Sequence, residues 1–246
     1  VVLMADFLPE PHFSHAQSPR IGVLLINLGT PKAPTSSALR PYLREFLSDR
    51  RVIEIPRLLW SVILNGFILT TRPAKSAKKY TSIWLPQGSP LAVHTQRQTE
   101  QLAQRFSATL PNVVVDYAMR YGQPAVETVI QRMRAAGVTQ FLCVPLYPQY
   151  AASSSGTALD AVFRTLMQLR SMPDVRTLRH FHDDAGYIAA LAAKVQAHWA
   201  AQGRGDKLVM SFHGVPRRSL DLGDPYYCEC HKTGRLLAEA LGLTED

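Results

Sequence analysis

His213 follows a predicted strand, at the position where enzymes with open α/β sheets place their reactive groups. The apolar run Leu208–Phe212 predicts a buried strand, His213 follows at its carboxyl end, and Gly214 and Pro216 then turn the chain. Ligands of open α/β sheets bind beyond the carboxyl ends of strands. Imidazole titrates near neutrality and binds borderline metals. A lone strand-end histidine more often only hydrogen-bonds to backbone, so both interpretations of His213 stay open at this level.

Two further groups contain metal-ligating residue types. Cys228, Cys230 and His231 lack a second ligand pair, and an all-cysteine iron–sulfur centre needs four cysteines where this chain has three. The sequence therefore argues against a cluster. His180 and His182 lie two residues apart on one face of a predicted strand, where a metal pair is conceivable and a hydrogen-bonded pair is the preferred interpretation. No glycine-rich nucleotide loop or Gly-x-Ser-x-Gly elbow is present, so neither a nucleotide-binding domain nor a nucleophile turn is predicted.

Apolar strands alternate with amphipathic helices along the chain. This alternation predicts an α/β fold of two doubly wound, Rossmann-like parallel-sheet domains. Residues 1–20 are expected to be a loose N-terminal arm, 21–172 the first domain and 173–246 the second, with the boundary at Met172-Pro173-Asp174. The predicted strands are Ile21–Asn27, Val113–Met119, Phe141–Leu146, Val175–His180 and Leu208–Phe212, and the predicted helices include those around Leu39–Leu47, Val126–Met133, Leu159–Leu169, Ile188–Trp199 and Tyr226–Leu241.

The second domain looks incomplete. Two strands and two helices would leave both sheet edges open and bury little core, so a further segment is expected to follow Asp246.

Composition narrows the function classes. The chain has 27 Lys and Arg against 19 Asp and Glu, a net charge of +8, which suits nucleic acid, an anionic membrane surface or anionic small molecules. The cations are dispersed and accompany no nucleic-acid-binding signature, so no nucleic-acid partner is predicted. Three cysteines favour a reducing cytoplasm. The apolar stretch Leu58–Leu69 is too short to span a bilayer; it is interpreted either as a buried helix or as an apolar lip in peripheral contact with the inner face of the membrane.

Five segments in series carry a family resemblance. Ser211-Phe-His-Gly-Val-Pro216 with Leu222-Gly-Asp-Pro-Tyr226 resembles the ferrochelatase signature. Gly22–Pro31 resembles the family's first strand and loop. Arg72–Tyr80, with Gly88–Leu91, resembles its porphyrin lip. Tyr117–Gly122 and Pro145–Tyr150 resemble the strands that floor its cleft. The resemblance runs from about Ile21 to Leu243.

The resemblance implies that ferrous iron is inserted into protoporphyrin IX to give protohaem, the last step of haem biosynthesis, with release of two protons. The resemblance also implies that iron is a substrate metal and that the reaction uses no organic cofactor. His213 matches the family's essential histidine, a metal ligand or proton acceptor. Porphyrin-binding roles are implied for the residues that match other cleft and lip positions, Leu28, Arg72, Tyr80, Arg120 and Tyr147. For Arg72 and Arg120 the competing interpretation is an ordinary surface cation, and for Tyr147 it is plain sheet packing.

One departure bears on activity. The family pairs its histidine with a glutamate on a later helix, and neither Glu239, Glu245 nor Asp246 fits that motif. A chain ending at Asp246 is therefore expected to be inactive by itself while its relatives are active. The alternative function is a non-catalytic tetrapyrrole- or haem-binding protein of the same fold, or an inactive fragment. The sequence leaves open the choice between protoporphyrin and coproporphyrin.

Overall fold

The computed structural model describes residues 7–12 and 18–243. They divide into two compact units. The first comprises the described residues up to Leu146 together with Gly156–Leu178, and the second comprises Tyr147–Ser155 and the residues from Arg179 onward. The sequence placed its boundary at Pro173, so the structure differs by assigning 173–178 to the first unit and 147–155 to the second.

A parallel four-stranded sheet forms the centre of the first unit. Its strands are β1 (Arg20–Thr30), β2 (Val113–Gly122), β3 (Val138–Pro145) and β4 (Asp174–Thr177), in the order β2-β1-β3-β4. Val23–Ile26 in β1 are buried, as a strand covered on both faces requires. The predicted α/β class and parallel sheet are confirmed, and the order reverses at β1, which creates a switch point between β1 and β3.

Helices surround this sheet and follow the apolar periodicity of the sequence. The face predicted for the helix after β2 is buried, at Val126, Val129, Ile130 and Met133, and Gly137 just past the end of this helix has φ +87°. The helices of the first unit are α1 (Ser36–Leu47), α2 (Arg57–Ile63), α3 (Leu69–Ile83), α4 (Pro90–Thr109), α5 (Val126–Ala135) and α6 (Thr157–Leu166), and a π-helical turn at Leu64–Ile68 joins α2 to α3.

The second unit is helical over its described residues. It contains a π-helical segment at Ala152–Gly156, whose last residue belongs to the first unit, and the helices α7 (Ala185–Gln202), α8 (Arg217–Asp221) and α9 (Tyr226–Leu241). Asp184 caps α7 by accepting from the Tyr187 backbone N–H at 3.0 Å. Gly242 ends α9 in the left-handed region at φ +63°, as its place after Leu241 predicts.

One predicted strand forms in a different sheet, and another does not form. The segment predicted at Val175–His180 for the second domain forms β4 at the edge of the first sheet, paired with β3 from Gln140↔Asp174 to Cys143↔Thr177. The segment Leu208–Phe212 is not a strand, and Val209 is 87% exposed. A strand requires a hydrogen-bonding neighbour, and no segment of the described chain pairs with 208–212. Apolar runs alone do not reveal which sheet a segment joins.

The described part of the N-terminal arm is docked, not loose. The Leu8 backbone N–H donates to the Gln168 carbonyl at 2.9 Å, and the Arg170 guanidinium lies 4.4 Å from the Phe7 ring centroid. Glu10 accepts from the side chain of Arg134. These contacts attach residues 7–10 to the first unit.

The apolar stretch Leu58–Leu69 is helical but only partly buried. Leu64 and Leu69 pack into the core, while Leu58, Val62 and Phe67 are 88%, 72% and 76% exposed. The interpretation as a buried helix therefore holds for one face only. Within the part of the chain that the structure describes, no helix combines the length and apolarity needed to cross a bilayer.

Candidate active site

His213 lies in an irregular exposed segment between α7 and α8 of the second unit. Its backbone N–H donates to the Tyr226 hydroxyl at 3.1 Å, and Tyr226 is the first residue of α9. The backbone at the histidine is thus anchored to a helix while its side chain remains accessible. Such a placement leaves the imidazole available to a ligand.

His213 contributes to the wall of a pocket of about 600 Å³ within the second unit. This volume falls within the range of small-molecule sites. The lining is largely apolar or aromatic and comes from the irregular segment and one side of α9: Met210, Phe212, His213, Gly214, Val215, Tyr226, Tyr227, Cys230, His231, Gly234 and Arg235. An imidazole on an apolar wall can bind a metal or accept a proton from a flat, apolar ligand.

The first turn of α9 is fixed by the loop that precedes it. Asp224 accepts from the Tyr226 backbone N–H at 3.0 Å and from the Ala152 backbone N–H at 2.7 Å. Burial raises the pKa of Tyr226 above its ordinary value, and the hydrogen bond with Cys230 raises it to a smaller extent. The hydroxyl beside His213 is therefore protonated at neutral pH. Sequence reasoning quoted Tyr226 within the motif but assigned it no contact, because its partner is a backbone group thirteen residues away.

The first unit brings two of the predicted porphyrin-binding residues together. Leu28 and Arg120 lie near the carboxyl ends of the neighbouring strands β1 and β2. Each follows one member of the pair Asn27↔Met119 and precedes one member of the pair Gly29↔Tyr121. This is the sheet edge where ligands of doubly wound folds bind. The register therefore supports the grouping of Leu28 with Arg120.

Tyr80 and Arg72 lie on α3. Tyr80 is half-buried and packs, with Leu28, against the core cluster that includes Tyr121. Arg72 is exposed and makes no ion pair with any residue that the structure describes. Tyr147, in the second unit, is half-buried two residues after the end of β3. No contact of these side chains with a porphyrin is tested, so their roles stay predictions.

Arg120 is the centre of a buried polar network. Its guanidinium pairs with Asp49, and the two side chains are 10% and 5% exposed. Arg120 Nε also donates to Thr157 Oγ1 at 2.6 Å, and the Tyr121 hydroxyl donates to Asp49 at 3.0 Å. Arg120 is thus no ordinary surface cation. Sequence reasoning missed Asp49 and Thr157, which lie 71 and 37 residues from Arg120 along the chain.

The network determines the charge state of its acid. Burial alone would raise the pKa of Asp49, but the hydrogen bonds from Thr157, the Arg51 backbone N–H and Tyr121, together with the charge of Arg120, outweigh it, and the pKa lies below its ordinary value. Burial also raises the pKa of Tyr121. At neutral pH the network therefore consists of a carboxylate, a guanidinium and neutral hydroxyls. A polar pocket of about 400 Å³ opens beside it, lined by Glu45, Ser48, Asp49, Arg50, Arg57, Arg120, Asp160 and Arg164.

Comparison with known proteins decides the family. The family model described as Ferrochelatase matches residues 20–246. The chain belongs to the ferrochelatase family. A ferrochelatase of Chromobacterium violaceum is 65% identical over 244 residues, which cover 99% of this chain and 67% of that protein. Ferrochelatases of Azoarcus sp. and Nitrosomonas europaea are 58% and 56% identical, each over 99% of this chain and 67% of the relative.

The chain therefore spans about two thirds of the length of these ferrochelatases. The family resemblance of the five motifs is confirmed. The match includes both units, so the segment with His213 and the carboxyl edge of the sheet with Leu28 and Arg120 both belong to the ferrochelatase sequence pattern.

Proposed function

We propose that this chain serves the ferrochelatase reaction, the insertion of ferrous iron into protoporphyrin IX. One observation carries the proposal: a sequence that matches the ferrochelatase family from residue 20 onward exposes His213 on the wall of an apolar pocket. In the reaction, two pyrrole N–H bonds break, the four ring nitrogens bind the metal, and two protons leave. Iron remains ferrous throughout, so neither an oxidant nor an organic cofactor is required.

His213 is proposed as the group that receives the iron or the pyrrole protons. A neutral imidazole has one lone pair for a metal or a proton, and an exposed ring can reach a macrocycle held against the apolar wall. Arg72 is proposed to pair with a propionate, because an unpaired guanidinium is suited to a carboxylate. Leu28, Tyr80 and Tyr147 are proposed as apolar and aromatic contacts of the ring.

Arg120 is proposed to act at the cleft through its network with Asp49. The guanidinium is already paired, so a propionate would have to compete with a buried carboxylate. A structural role at the carboxyl edge of β2, holding the wall beside Leu28, agrees better with these contacts than direct pairing with the substrate.

A metallation assay tests the proposal. The protein expressed from its natural gene is mixed with porphyrin and ferrous or zinc ion, and the absorbance bands are followed. We expect multiple turnovers for the wild type and a loss of about 100-fold or more in His213→Ala. His198→Ala, which removes an exposed histidine of α7, is the matched control and should turn over normally. Porphyrin binding without turnover in the wild type would instead identify a non-catalytic tetrapyrrole-binding protein.

A peripheral membrane role is proposed for the exposed face of α2 and the π-helical turn, with the protein in the cytoplasm at the inner face of the membrane. Leu58, Val62 and Phe67 expose apolar surface, and Arg57 lies beside them. Such a face can insert into the headgroup boundary, and the cation favours anionic lipid. Vesicles containing phosphatidylglycerol should co-sediment the wild type and release Val62→Asp. Equal sedimentation of the two would refute the contact.

A further inference from the structure

A second group of ligating side chains lies in the second unit, beside the first turn of α9. The Nδ1 atoms of His180 and His182 are 2.7 Å apart, with their rings stacked. Nδ1 of His180 is 3.4 Å from Oε1 of Glu229, and Nδ1 of His182 is 3.4 Å from Oε2. His182 and Glu229 are buried, and His180 is partly exposed. Two imidazoles and a carboxylate thus lie in direct contact.

The facing nitrogens of the two rings are suited to a metal as well as to a hydrogen bond. A separation of 2.7 Å requires one Nδ1 to carry a proton and the other to accept it. If the donating ring carries its proton on Nε2 instead, both Nδ1 atoms offer lone pairs to a metal ion. The carboxylate of Glu229 supplies negative charge beside them.

The spacing suits a metal ion. Tetrahedral ligands at metal distances of 2.0–2.1 Å are about 3.4 Å from each other. Each imidazole is already at this distance from a different oxygen of Glu229, His180 from Oε1 and His182 from Oε2. To form the site, the two nitrogens would have to open by about 0.7 Å and the carboxylate would have to bind through one or both oxygens; the side chain of His180 is 35% exposed and has room to move.

Supporting contacts hold the ligands as the outer groups of metal sites do. The Tyr150 backbone N–H donates to Glu229 at 2.7 Å and orients its carboxylate. Thr233 donates to the His182 carbonyl at 2.9 Å. Asp183 lies at the rim, 3.9 Å from His182 Nδ1, where it accepts from Lys232 at 2.6 Å. Its carboxylate is placed to supply a fourth ligand atom if Lys232 releases it.

We propose that His180, His182 and Glu229 bind a divalent transition-metal ion, with Asp183 as the fourth ligand. Two imidazoles and a carboxylate select borderline ions such as Zn²⁺, Co²⁺ or Fe²⁺ over Mg²⁺ and Ca²⁺. The ion ties residues 180–182 to the first turn of α9, the turn whose Tyr226 hydroxyl holds the backbone of His213. Binding at this site does not depend on the proposed chelatase reaction.

Cobalt absorbance tests the site in the 246-residue chain. All variants carry His213→Ala, which removes the proposed catalytic ligand. We expect one equivalent of Co²⁺ with visible d–d bands typical of a nitrogen- and oxygen-ligated site, displaced by Zn²⁺ and resistant to excess Mg²⁺. His180→Gln and Glu229→Gln should each weaken cobalt binding by more than about tenfold.

His198→Asn is the matched control, because it removes an exposed histidine on α7. It should leave cobalt affinity unchanged. Because Glu229 is buried and its variant could misfold, His180→Gln is the decisive change, and circular dichroism should show its helices intact. The proposal is overturned if Co²⁺ fails to bind, if His180→Gln binds it as tightly as the parent, or if His198→Asn loses it equally. Metallation assays do not enter this readout, so failure of the proposed chelatase activity would be recognised separately.

Discussion

Removal of the Asp49 carboxylate should destabilise the first unit severely. Asp49 is 5% exposed and accepts hydrogen bonds from Arg120, Thr157 and Tyr121. Asp49→Ala leaves the guanidinium of Arg120, itself 10% exposed, without its counter-charge. Loss of one partner of a buried pair typically costs 3–5 kcal/mol, so we expect the free energy of unfolding to fall by about 4 kcal/mol.

The assay is urea unfolding followed by tryptophan fluorescence. Trp60 and Trp84 lie in the first unit and Trp199 in the second, so a Trp199→Phe background makes the signal report on the first unit. Trp60 is well placed as a reporter, because it packs against the core cluster of that unit and its indole N–H donates to the Leu47 carbonyl at 2.6 Å.

Asp160→Ala is the matched control. Asp160 also pairs with an arginine, Arg51, through two hydrogen bonds, but these side chains are 34% and 40% exposed. An exposed pair contributes about 1 kcal/mol or less. Asp49→Ala should also cost clearly less in an Arg120→Met background, where no buried charge is left behind. Equal losses for the two aspartates, or an unchanged cost in that background, would refute the reasoning.

Three further predictions concern stability. The pKa of Asp49 is lower in the folded than in the unfolded chain, so its contribution to the free energy of unfolding is complete above about pH 4 and is lost as the pH falls through the folded pKa. Asp49→Asn should therefore flatten the dependence of the urea midpoint on acid pH. An unaltered slope would contradict this. Glu10→Gln should cost about 1–2 kcal/mol in thermal melts, since Arg134 is 6% exposed; no change would mean that the arm is not docked in solution. Gly29 has φ +103°, and a Cβ there would lie 1.8 Å from the Tyr121 carbonyl oxygen. Gly29→Ala should therefore lower the free energy of unfolding by more than about 2 kcal/mol. A variant that melts at the wild-type temperature would contradict the β1–β2 register.

The hydrophobic periodicity of the sequence predicted those strands and helices that bury one regular face. The buried runs of β1, β2 and β3 and the apolar faces of α5, α6 and α9 carry their own signals, because each buries a face with a fixed repeat. Helix ends were predictable where a glycine adopts positive φ, as at Gly137 and Gly242.

The remaining features depend on partners distant in the chain. The segment containing Val175 pairs with β3 and forms the edge of the first unit's sheet. Leu208–Phe212 has no pairing partner among the described residues. Likewise, the pairing of Asp49 with Arg120 joins a loop after α1 to β2. No local pattern encodes such contacts, whereas the motif that points to His213 is local, and its role stays a prediction.

The kinetics of His213→Ala test the central claim most directly. Porphyrin affinity is measured by fluorescence quenching and the turnover number at saturating porphyrin and ferrous ion, both on the protein from its natural gene. The account predicts a turnover number reduced by about 100-fold or more with porphyrin affinity nearly unchanged, because the imidazole acts on iron or protons and not on holding the ring. A variant that inserts iron at the wild-type rate would contradict it.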